Sequence, residues 1–283
     1  MSIAQQVRYK EETIRAFETS KAIIPQTLRS DTQDRGGQLV FLVAGSGGRS
    51  AVTRGANGDI PNSDDSQTQV TLTFAEAHDK QVRTGFDIFR AQGNQLELMR
   101  RNNLAVIRRK QDAVCVAALE TGTVTLGAVG TMSMTVAQRI STVLRNAHVG
   151  EEDNGNLFCL VSIGAWNYME AITQFSSADF VTFGGQPPVV EGVPNFGRFK
   201  HWMGINWGVH TGLTGHGTSS CTCIAYHRDA AGYATSTMGL DAEAGYDGEN
   251  QRSWTRATIF HAAVGLRDAG IVKLTHDDSG LSA

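Results

Sequence analysis

LVFLVAGSGGRSAVTRG, Leu39 through Gly55, joins an apolar, strand-like run to Gly45, Gly47 and Gly48. Such a step either wraps a nucleotide phosphate or lets the chain turn, and the residues after it decide between them. A phosphate loop places its glycines at the mouth of a helix, whose free N–H groups and dipole hold the anion. Here the chain runs on as AVTRGANGDIPNSDDSQ, with Gly55, Asn57, Gly58, Asp59 and Pro61 spaced as turn formers. These residues are poor in helices. The glycine spacing also fits neither G-x-G-x-x-G nor G-x-x-x-x-G-K-[ST]. QVTLTF comes next, with Val70, Leu72 and Phe74 alternating with polar neighbours, which is the period of a half-exposed strand. Two strands therefore flank a long polar excursion, a hairpin with too little apolar surface to hold itself.

Outward from the hairpin, residues 1–38 read as an arm: a helical candidate over Ala4–Thr19, then Pro25 and the polar SDTQDRGG. On the other side, Ala91–Thr121 is the longest helical candidate, with Gly122 at its stop. At 100° per residue its apolar face gathers Leu96, Met99, Ile107, Val114 and Ala117, and its polar face Arg101, Arg108 and Asp112. Glu97–Arg101 and Arg108–Asp112 are i,i+4 pairs. Beyond it strands and helices mix: TVTLGAV, a helix over Ser133–Ala147, a buried strand Leu157–Ile163 and a helix Ala165–Phe175. Strand-like pieces recur at Phe199–Val209, Cys221–Tyr226, Ile259–Val264 and Ile271–Thr275. That order is α+β rather than a regularly alternating chain.

Composition narrows the function classes. The 283 residues suffice for a sizeable core, and 41% hydrophobic against 19% charged residues excludes global disorder. A formal charge of -3 is not that of a bulk nucleic-acid binder, although Arg83–Lys110 concentrates seven basic residues against two acidic ones. No signal-peptide core or apolar run of spanning length is present, so no membrane partner is expected. Cys115, Cys159, Cys221 and Cys223 lie in apolar stretches, which fits reduced thiols.

In the grammar of these segments the chain resembles the major capsid proteins of tailed bacteriophages, with the Hong Kong 97-like fold. NLFCLVSIGAWNYM is similar to that family's strand-to-helix step, CIAYHRDAAGYA to a strand running into a short helix, and DAGIVKLTHDD to its closing strand. The resemblance implies an amino-terminal arm (1–38), an extended loop (39–82) and a peripheral domain with a spine helix (83–132). An axial domain (133–255) and a carboxyl-terminal return to the peripheral domain (256–283) complete the expected order. It further implies a structural protein of the virion, assembled in the host cytoplasm. Hexamers and pentamers would form an icosahedral shell, with extended-loop residues Arg49, Arg54, Asp59, Asp64 and Asp65 reaching a neighbouring subunit. Packaged double-stranded DNA is the expected non-specific partner, with portal, scaffolding and decoration proteins as further ones. No scaffolding segment of family length precedes residue 38, so any scaffold is expected as a separate protein. The alternatives are an encapsulin-type compartment shell and, in a different class, a soluble α+β enzyme with a glycine-rich lid.

Candidate chemistry is sparse, and no cofactor, metal or catalytic residue is assigned. Some capsid families cross-link an extended-loop lysine to a neighbour's asparagine, but Gly45–Asp79 contains no lysine, and Lys80 stands at the loop's base. His216, Cys221, Cys223 and His227 offer zinc-type ligands, yet Cys-x-Cys on a strand simply sets two small side chains on one face. His148 and His261 sit in apolar contexts and read as core histidines. A triad from Ser162, His210 and an aspartate lacks the G-x-S-x-G elbow. Phe196, Phe199, Trp202 and Trp207 read as a buried or subunit-facing strand rather than a sugar or base cradle.

Overall fold

The computed structural model describes residues 22–45, 54, 66–90, 94–147, 149, 155–177, 182–183 and 199–281. The helical candidate at 4–19 lies outside them. In chain order the elements are α1 (Ile24–Thr27), β1 (Arg29–Gln33), β2 (Gln38–Gly45), β3 (Ser66–Thr73), β4 (Ala75–Thr84), α2 (Gly85–Arg90), α3 (Gln95–Glu120), β5 (Thr125–Val129), α4 (Met134–Asn146) and β6 (Leu157–Val161). The chain continues through α5 (Ile163–Glu170), α6 (Thr173–Ser176), β7 (Thr182–Phe183), β8 (Phe199–Trp202), β9 (Ile205–Val209), β10 (Cys221–His227), β11 (Ala231–Ser236), β12 (Asp241–Asp247), β13 (Arg252–Gly265) and β14 (Ile271–His276).

A seven-stranded mixed sheet, ordered β5-β14-β10-β6-β9-β8-β7, forms the body. Apolar surface covers it on both faces, so β6 reads as an unbroken apolar run, LFCLV, with every residue buried. One face packs Cys159, Val161, Trp207, Ala225 and Val272 against Ile140 and Leu144 of α4, Met169 of α5 and Phe175 of α6. The other packs Phe158, Leu160, Ile224 and Tyr226 against Cys115, Val116 and Leu119 of α3 and Ile24 of α1. The aromatic stretch lies inside this body. Trp207 Nε1 donates to the Trp202 carbonyl at 3.0 Å, and the Trp202 and Phe175 rings meet edge-on at 5.3 Å. Gly208 is required there, since a Cβ would stand 2.4 Å from the ring of Phe199, its cross-strand partner.

A second, five-stranded sheet is built around β13, the longest strand. One edge of β13 pairs with β11 and β12, the other with β4, all antiparallel, and β1 joins β11 in parallel. β2 and β3 form a separate two-stranded antiparallel ribbon in unbroken register from Gln38↔Thr73 to Gly45↔Ser66.

The long helix links the two sheets. Asn94 caps it by accepting from Glu97 N, and at ~1.5 Å per residue its 26 residues span about 39 Å. Its N-terminal half lies on the five-stranded sheet: Ile107 packs on Ala257 and Ile259, and Asn103 Nδ2 donates to the Thr255 carbonyl at 2.9 Å. Its C-terminal half turns to the seven-stranded sheet through Cys115, Val116 and Leu119. The buried stripe therefore rotates along the helix, because successive turns meet different sheets. A single face, as read from periodicity, does not survive that rotation. Met99 and Ile107 are buried as expected, whereas Leu96 and Ala117 are exposed and Val114 is half-buried.

Two further readings change. CIAYHRDAAGYA is strand, a 3-10 turn (Arg228–Ala230) and strand, not strand into helix. The boundary placed between 255 and 256 falls inside β13. The closing strand β14 belongs to the seven-stranded sheet rather than to the one that holds β4.

Candidate inter-subunit surfaces

The β2–β3 ribbon contains no charged residue in either strand, QLVFLVAG or SQTQVTLT. One face is held: Leu39, Phe41 and Phe74 pack with Leu72 on Ala234 and Ala262, and Phe41 covers Gly232 so closely that a Cβ there would stand 2.9 Å from its ring. The opposite face presents Val40 and Leu42 at 51% and 61% exposure. Val40 and Leu42 also line a cleft of about 990 Å³ between β1 and β2, together with Ala147, Val149 and Leu266 and the charged Arg29, Asp31, Asp229 and Arg267. Arg29 pairs with Asp229 at 3.3 Å, and Arg267 donates to the Ala44 carbonyl. A neutral ribbon with an apolar outer face lacks the charges that ordinarily keep an exposed edge from associating.

A second exposed apolar feature is α2, none of whose residues is buried. Phe86 and Phe89 stand one helical turn apart at 65% and 85% exposure, with the Arg90 guanidinium 5.4 Å from the Phe86 ring centroid.

Of the sequence-predicted loop residues, Arg54 is described and exposed, while Arg49, Asp59, Asp64 and Asp65 lie outside the described residues. On the long helix, Arg101 is exposed and bonds Glu97 at 2.9 Å across i,i+4, and Arg108 is half-buried. Asp112 departs from the expected polar face, being 4% exposed. Its Oδ1 accepts from Ile23 N at 3.0 Å and Ile24 N at 3.1 Å, the entry to α1, and its Oδ2 faces His210 Nε2 at 3.4 Å. Periodicity could not separate this carboxylate from a solvated one, because its partner is a backbone segment 89 residues upstream. Asp112 thus anchors the arm: α1 docks beside it, and Thr27 Oγ1 meets the Tyr226 hydroxyl at 2.5 Å within the core.

The residues weighed for catalysis are placed otherwise. Ser162 is the N-cap of α5, accepting from Ala165 N at 3.1 Å while donating to Asp278 Oδ1 at 2.6 Å. His276 Nδ1 meets the same oxygen at 2.7 Å, so the carboxylate stands between serine and histidine, an order different from the serine–histidine–aspartate relay. Burial pushes the Asp278 carboxyl up. Donation from Ser162, His276, Gly217 N and Cys221 outweighs burial and holds it below the usual range. This wholly buried cluster fastens the end of β14 to the start of α5. Cys221 and Cys223 are buried, and their mutual contact together with burial holds the Cys221 thiol protonated. Among the described residues no group of three or more His, Cys, Asp or Glu side chains could hold a metal ion. His261 lies buried beside Tyr233, its pKa lowered by burial and then by Lys110; His148 lies outside the described residues.

A sandwiched mixed sheet, a second sheet tied to it by a long helix, and a separate two-stranded ribbon make up a fold of the Hong Kong 97-like type. The shell of cyanophage P-SCSP1u matches with a TM-score of 0.72 and 11% identity over 98% of this chain and 94% of that one. That of Ralstonia phage GP4 matches at 0.73 and 12% over 97% and 95%, and Mycobacterium phage Che8 at 0.69 and 15% over 97% and 98%. No curated protein matches by sequence. A sequence model described as phage capsid protein matches residues 3–278, and the chain belongs to that family. It is a structural protein of the virion that assembles with copies of itself into a shell.

Proposed function

We propose that this subunit forms hexamers and pentamers of an icosahedral shell around double-stranded DNA, with the hairpin of residues 39–82 as its reach to a neighbour. The observation that carries this reading is the ribbon itself: Val40 and Leu42 stand exposed on strands without a single charge, a surface that calls for cover. Arg49, Arg54, Asp59, Asp64 and Asp65 extend the same contact from the loop between the strands. Residues 1–38 serve as the arm and 83–132 as the peripheral domain with its spine helix, while the axial domain follows from 133, its end set by β13 (Arg252–Gly265), which stays whole, rather than by a cut at 255. Arg101 and Arg108 on the spine helix meet either packaged DNA, without sequence preference, or a neighbour's carboxylates. Portal, scaffolding and decoration proteins are the further partners of such a shell. Deleting residues 51–67 tests the reading. The subunit should remain folded and soluble but fail to form stable shells, and normal shells from the deletion variant would overturn it.

A further inference from the structure

The subunit carries two exposed apolar features of opposite shape, the α2 projection and the cleft between β1 and β2. We propose that they are the two halves of one contact, in which Phe86 and Phe89 of one copy insert into the Val40–Leu42 cleft of a second copy. The proposal rests on the assembly of this chain into a shell, which makes another copy of it the occupant.

Shape is the first argument. Two phenyl rings on adjacent turns of a helix form a compact projection, and a cleft of about 990 Å³ accommodates both with the helix backbone above them. Among its lining, Val40, Leu42, Ala147, Val149 and Leu266 are the apolar residues that would meet rings which the described residues of their own subunit leave largely uncovered. Charge is the second: α2 carries Asp87 and Arg90 beside its rings, and the cleft's lining carries both signs to meet them, Asp31 and Asp229 with Arg29 and Arg267. Symmetry is the third. A projection and a cleft at different places on one chain make a heterologous contact, the kind that propagates from copy to copy and closes into rings.

The test is a disulfide trap in the assembled full-length protein. Leu42→Cys and Phe89→Cys are both at exposed positions, so neither disturbs the core, and the native thiols are buried. After mild oxidation of assembled particles, the double variant should run as reductant-sensitive dimers and longer chains, and each single variant as monomer. A second arm uses free subunits. Phe86→Ser/Phe89→Ser and Val40→Ser/Leu42→Ser should each melt like the parent yet associate about tenfold or more weakly. Mixed together they should form heterodimers that do not grow, since one intact projection and one intact cleft remain. Assembled double-cysteine particles without trapped chains would overturn the proposal, as would serine variants that associate like the parent or fail to pair when mixed. If the parent protein itself forms no shells or rings, the shell reading fails instead.

Discussion

The seven-stranded sheet and the β2–β3 ribbon are both rich in apolar residues, yet they dispose of them in opposite ways. In the sheet, β6 is buried on both faces, with helices closing one side and the spine helix the other. In the ribbon, Leu39 and Phe41 are turned to a small cluster, and Val40 and Leu42 are left to solvent. The first pattern folds a subunit and the second asks for another one. Substitutions in the body should therefore register in melting experiments on free subunits, and substitutions on the ribbon, α2 or the helix's basic face should register in assembly.

The largest effect is expected at Ile107, 2% exposed against Ala257 and Ile259. Ile107→Asp places an uncompensated charge between the helix and the five-stranded sheet, at a cost of several kcal/mol, about 3–5 by analogy with broken buried pairs. Circular dichroism should show little cooperative melting, and a variant that melts like the parent would place this face on the ribbon's side of the comparison.

Asp112 comes next. Asp112→Leu strands the N–H groups of Ile23 and Ile24, each unsatisfied group costing about 1–3 kcal/mol. The midpoint of thermal unfolding should fall, and trypsin should cut sooner at Arg29. Asp112→Asn, which keeps an accepting oxygen, should lose much less. Equal losses in the two variants would mean that the arm is held by Ile24 and Leu28 alone.

Asp278 sharpens the account of the body through pH. Its carboxyl is held low in the folded state, so its stabilisation is complete above the ordinary unfolded value of about 3.9 and is lost as pH falls through its lower folded value. Asp278→Asn should therefore lower the melting temperature at pH 7 and converge with the parent in acid. A constant difference across that range would show that packing, not charge, accounts for the loss.

The smallest effect on folding is expected from Arg101→Gln with Arg108→Gln, about 0.5 kcal/mol per site. Assembly or DNA retention should suffer more, most of all at low salt, where charge contacts are strongest.

How far this division is legible in the chain depends on whether a residue's partner is local. The ribbon is legible because the apolar run Leu39–Ala44 and the alternation over Val70–Phe74 each lie in contiguous sequence, and LFCLV likewise shows a doubly covered strand as an unbroken apolar run. β4 is not, since AEAHDKQVRT holds its place through pairing with β13 rather than through an apolar pattern. Asp112 looks like a surface acid because helical position alone says nothing of an arm folding back onto it. Periodicity gathers Leu96 and Val114 into one buried stripe, as for a helix with a single partner, whereas this helix has two. The loop contacts at Arg49, Asp59, Asp64 and Asp65 remain readings of sequence.

Electron microscopy of the purified protein under assembly conditions tests the central claim most directly. Closed shells or capsomer rings are predicted. Their subunits should run at 30.5 kDa after boiling in denaturant, because the loop offers no lysine for a covalent link. Small discrete particles under every condition, with Val40, Leu42, Phe86 and Phe89 still open to solvent, would contradict the account.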